Sequence, residues 1–504
     1  MTTRASCLPS NRSRRHLLTW ATLLGFGLAP LTSALAYHPY HPPGSSLGFG
    51  DATRYDQLQS SKRNPAGPIS ASNRGVRMGI LGIGVGAELG KVDDFADDFE
   101  QLGDDFDKLE GFDERIRDFE DTITTLKDTP GPNSEDELRD ALESLDQDIK
   151  DLQDLEIAVN DLLNLLGERG YLAIGVTGNH APFPLEVTHD ALRGSVTVDL
   201  EYGFRGHVSV LHGAELATGL RDIDFSTDPE DYLENGELNT EKLDTLLDTD
   251  LKLDDDAIEK QLEQFGGYIR GIQTRTLSIG YGTAVYTHPQ GILFAGGRLN
   301  HHQVELSRVV VSFDDDAGDT LSDEWDSNSR ERSAFGVDAG VMWVGDGYRA
   351  GATARNLNSP SFKYPQVRDN ETYDRATARG EIDTGASYTM EPQLTVEGAV
   401  SLGEDERWLV GAALDLNEIE GPFADNSENA YQWATIGASY HHPRFYIPSA
   451  RLGYRKNLAG TELGYISGGL TLFNLFNLDL AVATERVDSV PRGFFANLGF
   501  ETAF

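Results

Sequence analysis

The chain has 504 residues, a formal net charge of −40, a pI near 4.5 and a mean hydropathy of −0.38. So acidic a composition excludes nucleic-acid binding, which needs a basic face, and so hydrophilic a chain is not a helical membrane protein. It leaves open a β-barrel with a polar lumen and acidic loops, and 53 glycines suit strands that curve and pack closely.

The N-terminus carries Arg4, Arg12, Arg14 and Arg15, then the apolar run LLTWATLLGFGLAP from Leu17 to Pro30, then SALA. This is the order of a secretory signal peptide over residues 1–36, with Ala34 and Ala36 as the small residues before the cut and Tyr37 as the first mature residue. The apolar run falls short of the roughly 20 residues that a spanning helix needs. The single cysteine, Cys7, lies inside the segment to be removed, so the mature chain has no disulfide, thiol nucleophile or thiolate metal site.

Residues 37–73 open the mature chain with YHPYHPPGSS and SKRNPAGPIS, rich in Pro, Gly and Ser and without periodicity. Such a segment must be tied down by something else. RGVRMGILGIGVGAELG, Arg74 to Gly90, is the first strand of a barrel expected over 74–504.

Residues 92–167 break the β pattern. Phe95, Phe99, Leu102, Phe106 and Leu109 step by four and three, Phe112, Phe119 and Leu126 follow at sevens, and Leu138, Leu142, Leu145, Ile149 and Leu152 resume after TPGPNS. This predicts an amphipathic helical hairpin with a Pro-Gly turn, and Ser134 with Glu137 reads as a capping box. Acidic residues outnumber basic ones roughly fourfold here and supply about half of the net charge. The hairpin therefore belongs in water, as a self-packed insertion or as a partner-binding or gating element. A second acidic, mostly helical insertion is expected over 217–268.

Strand signals resume at GYLAIGVTG and at GSVTVDLEYGF, where Val196, Val198, Leu200, Tyr202 and Phe204 oppose Thr197, Asp199, Glu201 and Gly203. From Thr274 onward, alternating segments of about ten residues succeed one another to the end. The last, FFANLGFETAF, alternates Phe494, Ala496, Leu498, Phe500, Thr502 and Phe504 against a more polar set. An uncovered terminal strand is an edge liability that closure removes. The fold expected is all-β, a closed antiparallel transmembrane barrel of about 14 strands within a range of 12 to 16, with acidic helical insertions.

No constellation points to catalysis. His301 and His302 alternate to opposite faces of one strand, a poor metal site, and His441 with His442 repeats that geometry. Asp248, Asp250, Asp254 and Glu259 imitate a calcium loop, but Leu253 stands where the sharp turn needs glycine. Asp314 to Asp319 reads as a solvated acidic loop. No Walker-type loop, nucleophile elbow or H-E-x-x-H is found, so no enzyme, cofactor or metal is expected.

Several pieces together resemble known outer-membrane barrels. Asn64, Pro65 and Ala66, just before the first strand, are similar to the Asn-Pro-Ala element in the N-terminal hatch of FadL-like transporters, a resemblance that implies that residues 37–73 are an N-terminal plug of the barrel. YRAGATARNLNSPSFKYP, with Asn356, Leu357, Pro360 and Phe362, resembles a strand and loop shared by FadL, PorV and TraF-like barrels. PLEVTHDALRGSVTVDLEYGFRGHVSVL and the final hairpins resemble the family labelled conjugal transfer protein TraF. The resemblance implies a non-catalytic barrel in the outer membrane of a Gram-negative bacterium. It further implies that Phe500 and Phe504 form the signal read by the barrel-insertion machinery. Three roles stay open: a component of a conjugation or secretion apparatus, passive transport of hydrophobic small molecules, or a structural docking barrel. Outer-membrane lipid is the expected surrounding.

Overall fold

The computed structural model describes residues 46–54, 57–58, 60–70, 75–92, 112–131, 133–211, 213, 225–234, 237–247, 266–312, 324–325, 327–367, 370–382, 384–385, 387–403, 407–423, 429–442, 444–487 and 489–503. Alternation becomes strand nearly everywhere it is found. The wall is built from β1 (Gly75–Leu89), β2 (Tyr171–His180), β3 (Leu185–His189), β4 (Gly194–Leu211), β5 (Gly266–His288), β6 (Gly291–Ser312), β7 (Ser329–Val344) and β8 (Tyr348–Arg355). It continues through β9 (Gln393–Leu402), β10 (Trp408–Asp415), β11 (Trp433–Tyr440), β12 (Ser449–Asn457), β13 (Gly464–Leu472), β14 (Phe476–Ala483) and β15 (Gly493–Ala503).

β2 and β3 run in line between β1 and β4 and share one position, so the sheet has 14 positions. Every neighbour pair is antiparallel, and β15 closes on β1 with Ile83 opposite Leu498 and Val85 opposite Ala496. The terminal strand is thus no edge: β14 pairs it on one side and β1 on the other. This is the closure that lipid demands, since a backbone group without a partner has no water to turn to.

The two faces of the wall differ as the alternation requires. Outward residues are large, apolar and exposed: Ile83 and Val85 on β1, Leu277 and Ile279 on β5, Leu452 on β12, Ile466 on β13 and Leu480 on β14. Inward residues are polar and buried, among them Thr197, Asp199, Glu201 and Arg205 on β4. One end carries the short connections that follow β3, β5, β7, β9, β11 and β13. Exposed Tyr286, Tyr348, Trp408, Phe445 and Phe473 gather there, as at a membrane–water interface. All long connections leave the other end. Among the described residues no helix is long and apolar enough to cross a membrane.

Strand length is uneven. β8, β10, β11 and β14 have 8 residues each, close to the roughly 9–11 that a tilted spanning strand needs. β5 and β6 have 23 and 22. The excess stands beyond the apolar belt at the long-loop end, where Gly266 to Ile272 are buried on nearly every position and not on alternate ones. Described parts of the connections 356–392 and 416–432 cover this extension from the lumen side. Phe362, Tyr388 and Phe423 pack on Ile272, Val304 and Leu306, while Tyr373, Ala376 and Ile382 pack on Tyr268 and Val310.

The interior at the short-turn end holds α1 (Ser60–Arg63) and α2 (Gly67–Ser70). Beyond the long-loop end stand α3 (Phe112–Asp128) and α4 (Ser134–Arg169), whose facing stripes Ile116, Phe119, Ile123, Leu126 and Leu138, Leu142, Leu145, Ile149 form one dry core. The first part of the hairpin stripe, Phe95 to Leu109, lies outside the described residues. The core also takes Tyr232 and Leu243 from the second insertion, which contributes α5 (Thr240–Leu247). Two insertions that the sequence presents as separate are therefore one acidic helical body.

The start of α4 corrects the capping box. Asn133, not Ser134, is the N-cap residue; Ser134 Oγ instead turns back to Gly131, accepting from its N–H at 2.6 Å and donating to its carbonyl at 2.9 Å. The hydroxyl closes the Pro-Gly turn with both of these bonds and caps no N–H of the helix that follows.

Candidate functional site

The N-terminal segment lies in the lumen, and its seat is made of glycine. Leu47–Phe49 forms a single 3-10 turn closed by Gly50 in the left-handed region at φ 68°, a conformation glycine adopts without strain. Its backbone presses on Gly437 of β11 and Gly453 of β12, where any Cβ would overlap Phe49 or Gly50. The Pro65 carbonyl presses in the same way on Gly282, where a Cβ would sit 2.8 Å away, and on Gly296.

Asn64, Pro65 and Ala66 come together on this floor. Asn64 is fully buried; its Nδ2 donates to the Val341 carbonyl at 3.1 Å and to Glu397 Oε1 at 2.8 Å, and its Oδ1 accepts from the Ala66 N–H at 3.0 Å. One amide thus closes its own turn and ties it to β7 and β9.

Charge holds the remainder. Lys62 reaches Asp199 at 3.2 Å and also pairs with Glu201, all three buried, and Arg298 reaches the same Asp199 at 3.4 Å. Asp51 pairs with Arg63 and, at 3.4 Å, with Arg455 of β12. These pairs are desolvated, so each is far more costly to break by removing one partner than to keep. A cavity of about 10 Å³, room for one water, lies among Ser46, Thr53, Arg54, Gln57, Ser60, Lys62 and Arg63.

Beside Lys62 the wall is interrupted. Between β2 and β3, Ala181 to Pro184 keep the seam with β1 through Ala181 N–H to the Ile80 carbonyl and Gly79 N–H to the Pro184 carbonyl, both 2.8 Å. On the other side, register with β4 runs to Gly178 opposite Tyr202 and resumes at Leu185 opposite Val198. Asp199, Leu200 and Glu201 fall in the gap. Lys62, Asp199 and Glu201 were not singled out as a site from the sequence. The signal was present in part, since alternation puts both acids on the inner face of GSVTVDLEYGF, but nothing local reveals the lysine about 140 residues away that meets them.

The other predicted residues are scattered by comparison. Asn356 follows β8 at φ 50°, and its N–H donates to Asp338 Oδ1 at 2.9 Å. Leu357 is exposed, Pro360 is buried, and Phe362 is buried against Tyr388. Phe500 packs against Phe476 with ring centroids 4.9 Å apart and the ring planes tilted by 55°. Ala34, Ala36, Tyr37 and Phe504 lie outside the described residues. His302 turns inward to Thr276 Oγ1 at 3.0 Å while His301 turns to Phe335 on the outer face. Among the described residues no group of three or more His, Cys, Asp or Glu could hold a metal.

Residues 63–415 match the family described as "F plasmid transfer operon, TraF, protein". The chain belongs to this family. The match takes in the Asn64 turn, both insertions and the wall through β10, and stops before the last strands. Among solved structures, the chain is similar to the CymD monoaromatic hydrocarbon channel, at 10% identity and a TM-score of 0.41 over 93% of this chain and 99% of that one. It is also similar to the Pseudomonas putida toluene transporter TodX, at 11% identity and a TM-score of 0.35 over 93% and 98%. A Pseudomonas aeruginosa FadL homologue follows at 10% identity and a TM-score of 0.37 over 93% and 97%. No curated protein sequence matches significantly.

Proposed function

We propose that this member of the family is a plugged, non-catalytic barrel of the Gram-negative outer membrane. In this reading it is a component of a plasmid-transfer or secretion apparatus and meets its partner through the acidic helical body. The observation that carries the reading is the division of the molecule. The lumen is occupied by the N-terminal segment at one end and by inward-folded connections at the other. The helical body, by contrast, buries its own core and turns Glu135, Asp136, Glu137 and Glu143 to solvent. In this reading residues 1–36 direct export and are removed after Ala36, and the insertion machinery reads the last strand with Phe500 and Phe504.

The test is neutralisation of those four acids, to glutamine or asparagine, which leaves the apolar core intact. Transfer from a donor strain, or secretion, should fall at least tenfold while barrel abundance is unchanged. Unchanged transfer both in that variant and in a strain lacking the gene would refute the assignment.

A second reading, passive passage of hydrophobic small molecules, is favoured by the wall interruption at Ala181–Pro184 beside the buried Lys62 cluster. It predicts slower hydrocarbon uptake in a strain lacking the gene, and equal uptake would exclude it.

A further inference from the structure

Beside the wall interruption, the lumen face carries more oxygen than the N-terminal segment engages. Asp199 on β4, Ser278 on β5 and Asn300 on β6 lie directly opposite one another in one row. Two residues along the same face Glu201 lies opposite Thr276, and Asn179 of β2 follows the last pair before the break, Gly178 with Tyr202. Asn179, Asp199, Glu201, Ser278 and Asn300 are all at least nine-tenths buried.

Only one side of each group is used. Lys62 and Arg298 both address Asp199 through Oδ2, at 3.2 and 3.4 Å, and Lys62 addresses Glu201 through Oε2. Asn300 donates from Nδ2 to Asp338 Oδ2 at 2.7 Å, and Asn179 donates from Nδ2 to the Phe183 carbonyl at 2.8 Å. The other oxygens, Asp199 Oδ1, Glu201 Oε1, Asn300 Oδ1 and Asn179 Oδ1, together with Ser278 Oγ, have no hydrogen-bond partner among the described residues. Amide and ionised carboxylate oxygens only accept, so what completes this set is a donor or a cation. Buried acceptors left bare are costly.

We propose that this row binds a small monovalent cation of the sodium class, held by Asp199 Oδ1, Ser278 Oγ and Asn300 Oδ1. Directly opposite residues on neighbouring antiparallel strands stand about 5 Å apart at Cβ. Asp199 and Asn300 therefore reach from either side over the short Ser278, and three oxygens meet at one point. Oxygen donors select hard cations, and Lys62 and Arg298 beside Asp199 disfavour a doubly charged one. These oxygens show no surface to water, and a bare ion fits where a water molecule lacks room. The site is independent of the partner reading above. The competing occupants are water and the amide of Gln59, three residues before Lys62.

The test is thermal unfolding of the purified full chain in detergent, read by heat-modifiable gel mobility, in sodium chloride and in choline chloride at equal concentrations. The midpoint should be higher in sodium and climb with its concentration, as for any ligand of the folded state alone. Ser278→Ala and Asn300→Leu should each raise the sodium needed for a given shift at least tenfold, and Asn300→Asp should lower it. Retained mobility in choline chloride would show that the variants still fold. Equal midpoints in the two salts overturn the proposal and leave water as the occupant. A sodium shift unchanged in both Ser278→Ala and Asn300→Leu overturns it as well, since the ion would then sit elsewhere. So does a shift that appears only after Gln59→Ala, which would make that amide the natural occupant.

Discussion

The N-terminal segment and the helical body are both additions to the barrel, yet they are held by opposite means. The segment lies in a polar lumen, where Lys62, Arg63 and Asn64 meet Asp199, Glu201, Asp51 and Glu397 over a glycine floor. The helical body stands in water and is held by an apolar stripe that includes Ile123, Leu138 and Leu142, all fully buried. The wall explains the difference. Lipid claims its outer face for apolar side chains, so polar ones are left to line the lumen, and whatever docks inside must offer charge and hydrogen bonds in exchange. In water the same exchange gains little, and apolar burial does the holding.

The largest effect expected from this contrast is in the helical core. Ile123→Ala combined with Leu142→Ala should remove about 2–5 kcal/mol per site. Limited proteolysis should then cut within 112–169 while the barrel keeps its heat-modifiable mobility. Collapse of the barrel as well would show that the two parts are not separately held.

Next in size is Lys62→Met, which strands Glu201 and leaves Asp199 to Arg298 alone, and should cost docking of the segment about 3–5 kcal/mol. Because the chain has no cysteine after Cys7, a Ser46→Cys label reports the outcome: thiol modification in the folded barrel should be slow with Lys62 in place and fast in the Lys62→Met variant. Equal rates would mean that the charge cluster does not hold the segment.

Asn64→Ala should act in the same assay by about 1–3 kcal/mol, the cost of leaving buried partners unsatisfied. The smallest effect belongs to Arg139→Ala. It removes exposed ion pairs to Glu135 and Asp136 on α4, and helix stability measured by circular dichroism should not change detectably.

Much of the wall was legible because its rule is local. A period of two sorts Phe494, Ala496 and Leu498 from Phe495 and Asn497 wherever the strand is placed, and β15 keeps that sorting. The helical hairpin was legible for the same reason, since steps of three and four place Leu138, Leu142 and Leu145 on one stripe in any surroundings. The capping box at Ser134 and Glu137 failed where the turn geometry of Gly131 outweighed a motif.

The site was legible only in fragments. The Asn64–Pro65–Ala66 turn stood out, but Glu397 and Val341, which hold it, are more than 270 residues away. The sequence by itself determined which faces are apolar, where helices replace strands and that the chain closes on an alternating strand. These follow from chain geometry and the transfer of side chains out of water. Only the tertiary structure decided that two distant insertions share one core, that β2 breaks opposite Asp199 and Glu201, and that Ser278 stands between Asp199 and Asn300. Those pairings depend on the register between strands far apart in the chain, and register is set by the closure of the whole barrel and by no segment alone.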